Sequence, residues 1–238
     1  MTGIFVAALV GLANLAGGLI VLSPRRQSPR LLDALVGFGA GFMLAVALLE
    51  MAPAAASLRG GFLAILIGYL VVHFTQHALT PHFHFGEETH TEAMVSKRVG
   101  VWALVGLVPH SFFDGVAIGS GFLVSSELGL LIAVAILLHK IPTGVSLASI
   151  MVASGNTRRA ALLAVVMVAL ATVAGAAVTP LVAPLAQYGL ALAAGVTLYV
   201  AASNLIPESQ HRHGWLVQGG IAAGAVAFLL ARLLLRHG

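Results

Sequence analysis

The 238-residue chain is 59% hydrophobic and 8% charged, with a formal net charge of +4 and a mean hydropathy of +1.02. A soluble domain is roughly half apolar and a quarter charged, so this composition excludes a water-soluble fold and implies an all-α integral membrane protein. The chain has no cysteine, which removes disulfides, thiolate metal sites and cysteine nucleophiles; its small basic excess marks loop orientation, and no nucleic-acid partner is expected.

Apolar blocks of about twenty residues can each cross a ~30 Å hydrocarbon core as a helix. They predict eight transmembrane helices near 3–22, 31–54, 61–80, 100–122, 128–152, 158–182, 187–207 and 215–235, forming one transmembrane domain over 1–238. The first block follows only Met1 and Thr2, without a charged leader or a cleavage site, and is expected to be a retained helix. Glu50 stands near the outer end of the second span, and His73 and His77 near the inner end of the third. A polar loop at 81–98 carries His82, His84 and His90; it is either a weak metal-binding tract for regulation or exit, or a solvated linker. The fourth span holds His110-Ser111-Phe-Phe-Asp114-Gly115, the fifth His139-Lys140-Ile-Pro-Thr143-Gly144, and the seventh leads through Asn204 to Glu208.

Arg25, Arg26 and Arg30, then Lys97 and Arg98, then Arg158 and Arg159, then Arg212 occupy alternate loops. The positive-inside rule makes those loops cytoplasmic and puts both termini on the outer face of a plasma or inner membrane, with Arg232 and Arg236 dissenting.

Residues 40–53 and 194–207 share six identities in fourteen positions, including a glycine and a proline at equal spacing in spans of opposite direction. The fourth and fifth spans share a His-x4-Gly frame. The pattern predicts an inverted-repeat architecture of 3+2+3 helices, a recurring device of secondary transporters; shared helix-packing chemistry is the other explanation.

His110 and His139 lie midway along adjacent spans, and Asp114 and Thr143 follow one turn later on the same helix faces. An ionisable group at bilayer depth is costly unless it meets a partner or a polar cavity. Either these side chains line a functional site, or they form a hydrogen-bond network that glues the bundle while Asp114 balances Lys140. Pro109 and Pro142 each remove a helical hydrogen bond and free a carbonyl beside the histidines. Imidazole, carboxylate and hydroxyl donors suit Zn2+, Fe2+, Mn2+ or Cd2+, so the residues point to a carrier with a divalent metal ion as substrate and no cofactor.

These motifs resemble the Zrt/Irt-like protein (ZIP) family of divalent-metal transporters, whose fourth and fifth spans carry His-Asn-x-x-Asp/Glu-Gly and His-Glu-x-Pro-x-Gly-like segments. Leu49-Glu50-Met-Ala-Pro53 in the second span is similar to the bacterial branch, and the likeness continues through Leu205-Ile-Pro-Glu208 in the seventh. The resemblance implies eight spans, outer termini, a central metal site between the fourth and fifth helices and a His-containing cytoplasmic loop. Family members often hold two metals that share carboxylates one turn after each histidine. Here those positions read Asp114 and Thr143, and the positions that complete the second metal read Ser111, Lys140 and Ser203 or Asn204.

One bridging carboxylate is therefore missing, and a cation stands where a ligand would be. The expected site is mononuclear, with His110, Asp114, His139, Thr143 and Glu50 toward the metal, and with Lys140 in the electrostatic place of a second ion. Ser111, Lys140, Asn204, Glu208, His73 and His77 are the expected pathway residues. The chain is not expected to be an enzyme, since it lacks His-Glu-x-x-His and since Ser111 adjoins His110 in sequence and cannot face it on a helix. The alternative function is a transport-inactive membrane metal sensor or scaffold. Besides metal and lipid, a homodimer through Gly- and Ala-rich helix faces is a physically reasonable partner.

Overall fold

The computed structural model describes residues 2–23, 29–78, 97–206 and 215–237, except for the side chains at 29–33, 35, 76–78, 204, 216 and 235–237. Eight long helices, and no strand, occur among the described residues. They are α1 (Thr2–Leu22), α2 (29–56), α3 (Gly61–Ala78), α4 (Lys97–Val124), α5 (Ser126–Ala153), α6 (Arg158–Val178, with a 3-10 turn Thr179–Leu181), α7 (183–205) and α8 (Trp215–His237). Seven are long and apolar enough to cross a membrane. The eighth, α3, has 18 residues and is apolar as far as Thr75, and 18 residues of helix span about 27 Å. With its apolar surface turned outward along these helices, the chain is a multi-pass membrane protein.

Local chemistry sets the helix limits. Ser125 and Thr157 cap α5 and α6, their hydroxyls accepting the Leu128 and Ala160 N–H groups at 3.1 Å, which satisfies donors that a helix start leaves unpaired. Gly60 and Gly155, at φ +79° and +83°, turn the chain out of α2 and α5 in a backbone region that side chains disfavour.

Two helices contain a wider π-helical turn, Ala47–Met51 in α2 and Val200–Leu205 in α7. In the sequence each is followed two residues later by a proline, Pro53 or Pro207. Without an N–H, and with its ring against the preceding turn, a proline removes an i→i−4 bond, and the turn before it relaxes by widening.

α1 packs on α5, α4 on α6, α2 on α8 and α3 on α7, with glycines at the crossings. A methyl group on Gly17 would overlap the carbonyl oxygen of Ile141, and one on Gly144 that of Asn14. Gly175 meets the carbonyl of Phe112, and Gly115 that of Thr172. The other two pairs repeat the arrangement: Gly41 faces Ile221 and Gly224 faces Phe38, while Gly195 faces Ile65 and Gly68 faces Leu192. Small residues let helix backbones approach closely, and this packing holds helices together where the hydrophobic effect cannot. α4 and α5 pack on each other as well as on α6 and α1, so one stretch of each helix is buried on every side, and the polar residues of both motifs lie there.

Candidate metal centre

α4 brings His110, Ser111 and Asp114 to the α4–α5 interface, and α5 brings His139, Lys140 and Thr143; all six are buried. The four-residue spacing puts each histidine and the residue one turn later on a single face. The imidazole rings lie 5.6 Å apart, centroid to centroid, at 49°. His110 Nε2 is 3.3 Å and His139 Nε2 is 3.4 Å from the same oxygen, Asp114 Oδ2. Two ligands bound at 2.0–2.1 Å to a tetrahedral zinc are separated by ~3.3 Å, so both edges already have the length that a metal requires. All three donors lie within 4.8 Å of one another, and theirs is the one such group of three or more among the described residues.

Free lone pairs fit the same role. His139 Nδ1 is 3.4 Å from the carbonyl oxygen of Ala135. An Nδ1–H tautomer donates there and leaves Nε2 as a ligand, the second-sphere arrangement typical of metal-binding histidines. Asp114 Oδ1 and His139 Nε2 are buried without a hydrogen-bond partner among the described residues. Buried polar atoms of that kind are uncommon, and both can offer a lone pair to a cation. Thr143 Oγ1 donates to the carbonyl oxygen of His139 at 2.8 Å; the proton is engaged, but the oxygen lone pairs are not.

Lys140 is fully buried, and its Nζ lies 2.8 Å from Asp114 Oδ2 while donating to Ser111 Oγ at 2.8 Å. The residues that directly follow the two histidines thus meet each other. A buried ammonium and carboxylate are tolerable only as a close pair with further hydrogen bonds, and this pair has them.

Glu50 and His73 are elsewhere. Glu50, in the π turn of α2, forms an ion pair with Arg232 of α8. His73 of α3 packs edge-on against Tyr199 of α7 and Phe74, with centroids 5.8 and 5.5 Å away. Beside it Tyr69 Oη and Ser203 Oγ share a hydrogen bond of 2.9 Å. Side chains of His77 and Asn204, all of Glu208, and His82, His84 and His90 lie outside the described residues. Sequence reasoning missed the Tyr69–Ser203 contact, for which no motif existed, and the partner of Glu50, for which one did: Arg232 dissents from the charge pattern.

Known proteins match this chain over most of its length. A family model described as ZIP Zinc transporter matches residues 81–231. The zinc transporter ZupT of Enterobacter sp. (strain 638) is 29% identical over 215 residues, which cover 84% of this chain and 83% of that protein. ZupT of Escherichia fergusonii is 31% identical over 134 residues, 52% of each chain. The zinc transporter zipt-7.2 of Caenorhabditis elegans is 27% identical over 107 residues, 42% of this chain and 23% of its own. The family match covers more than half of the chain and includes both histidine motifs, so the chain belongs to the ZIP zinc transporter family.

Proposed function

We propose that this protein carries Zn2+, or a divalent ion of similar chemistry such as Cd2+, Fe2+ or Mn2+, into the cytoplasm through one metal site between α4 and α5. His110, Asp114 and His139 are the ligands, and Thr143 offers a neutral oxygen. The observation that carries the proposal is the approach of both imidazoles to a single carboxylate oxygen at 3.3 and 3.4 Å. Named relatives that are zinc transporters support the choice of metal.

Lys140 takes the electrostatic place of a second metal. Its ammonium already neutralises Asp114 and holds Ser111, and Thr143 lacks the negative charge that would bridge two ions. α4 and α5 form the site, and α6 and α1 pack behind them.

Inverted repeats are supported by the glycine crossings. Gly17, Ile141, Gly144 and Asn14 of α1 and α5 correspond to Gly175, Phe112, Gly115 and Thr172 of α6 and α4 at constant sequence offsets, and the α2–α8 and α3–α7 crossings correspond in the same way. Two related halves around a midplane site are suited to exposing it to each side in turn. The fold is taken as one transport domain with outer termini.

Uptake of radiolabelled Zn2+ into proteoliposomes tests the proposal. Saturable uptake is expected for the wild type, lost in His110→Ala and in His139→Ala, and reduced by competing Cd2+. A folded wild type that binds Zn2+ but moves none would favour the sensor or scaffold.

A further inference from the structure

α2 and α8 run parallel, with Gly37 against Val217 and Gly41 against Ile221. Glu50 lies nine residues beyond Gly41, and Arg232 eleven beyond Ile221, which is about 14 and 17 Å along the two helices toward the same membrane face. There the guanidinium and carboxylate pair, with Glu50 16% and Arg232 27% exposed. Neither charge is at home in the outer half of a membrane alone, and each reduces the cost of the other. The π turn that holds Glu50 leaves its neighbours Leu48 and Leu49 exposed while directing the carboxylate toward α8.

The opposite face has a different composition. By the offsets of the glycine crossings, Glu50 corresponds to Asn204 and Arg232 to Gln76, so the counterpart positions hold two neutral amides. The charge pair at this end of the bundle is thus not repeated in sequence at the counterpart positions.

We propose that Glu50 and Arg232 form a charge latch at the outer mouth, in which Arg232 competes with an arriving divalent cation for the Glu50 carboxylate and so sets the apparent affinity of uptake. This rests on the transport function proposed above. A hydrated divalent ion takes over the carboxylate by electrostatic exchange with the guanidinium, with no covalent step, and Arg232 is a positioning residue that acts through Glu50 and does not touch the metal.

Uptake kinetics are compared for the wild type, Arg232→Gln, Glu50→Gln and the double variant, with purified protein in proteoliposomes and Zn2+ as the probe. Removing the competitor is expected to lower KM about three- to five-fold, the range that a partly exposed ion pair supports, with kcat changing less than KM. The effect of Arg232→Gln should shrink to less than half when Glu50 is already Gln. Arg232→Lys, which keeps the charge without the planar fork, should fall between; if the glutamine variant does not fold, the comparison in both backgrounds is read on the lysine variant. An unchanged or raised KM, or an equal change in both Glu50 backgrounds, overturns the latch. Saturable uptake that His110→Ala abolishes but Arg232 variants leave unaltered defeats the latch alone, whereas a wild type without uptake defeats both proposals.

Discussion

In the function proposed above, Lys140 is the residue that limits the site to one metal. Its ammonium sits 2.8 Å from the oxygen that both histidines approach, so a second dication would meet a fixed positive charge in a medium that screens poorly. The carboxylate needed to offset that charge is absent, because position 143 is threonine, and its hydroxyl proton is committed to the His139 carbonyl. Wild-type protein is therefore expected to bind one Zn2+ per chain in equilibrium dialysis. The double variant Thr143→Glu, Lys140→Glu adds two carboxylates and removes the cation, and is expected to bind two; a count of one for this variant would put the mononuclear limit elsewhere than in Lys140 and Thr143. The identities of these residues are plain in the sequence, but the meeting of Lys140 with Ser111 is not. Residues that follow two histidines on different helices touch only if the helices cross at that height.

Among the helices, glycine at the crossings is the sequence feature with the most direct mechanical meaning. Adding side-chain bulk at Gly144 would press on the Asn14 carbonyl, which belongs to the backbone and cannot rotate away. Gly144→Val is expected to cost about 1–3 kcal/mol or more, the usual range for overpacking. Gly219→Ala meets nothing within 4 Å and should stay within about 0.5 kcal/mol, as open surface sites do. Thermal unfolding in detergent would rank the two variants, and equal losses would mean that the crossings do not limit stability. Apolar length and polar breaks, both legible in composition, are what bring a membrane helix to its end. The π turns were not legible. A proline in the sequence marks a disturbed turn, but whether the helix kinks, ends or widens depends on what its neighbours allow.

Across the whole molecule, the proposed orientation rests on the positive-inside rule. Lys97, Arg98, Arg158 and Arg159 begin α4 and α6 at one face, while Arg59 and Glu127 lie at the other. Arg232 opposes this pattern by sequence alone and ceases to do so once its partner is known, because a basic residue held by Glu50 carries little net charge to orient a loop. A chain without cysteine makes the orientation simple to measure. With the basic loops inside, Arg59→Cys and Ser126→Cys should react with an impermeant maleimide in intact cells, and Arg159→Cys only after permeabilisation. The reverse pattern would invert the topology and with it the assignment of Glu50 to the outer mouth.

The sequence by itself determined the membrane class, the helical fold and the family, because apolar block length, the absence of cysteine and two His-x4-Gly motifs are local properties that survive without knowledge of packing. It also singled out the polar residues of α4 and α5 that lie buried between the two helices. Tertiary structure alone decided which of those residues meet: His110, Asp114 and His139 converge, Lys140 joins them through Asp114, and Glu50 is taken by Arg232 from a helix some 180 residues later. Which partner a side chain finds depends on how helices cross and rotate, and those crossings are set by backbone contacts at glycines that lie far apart along the chain.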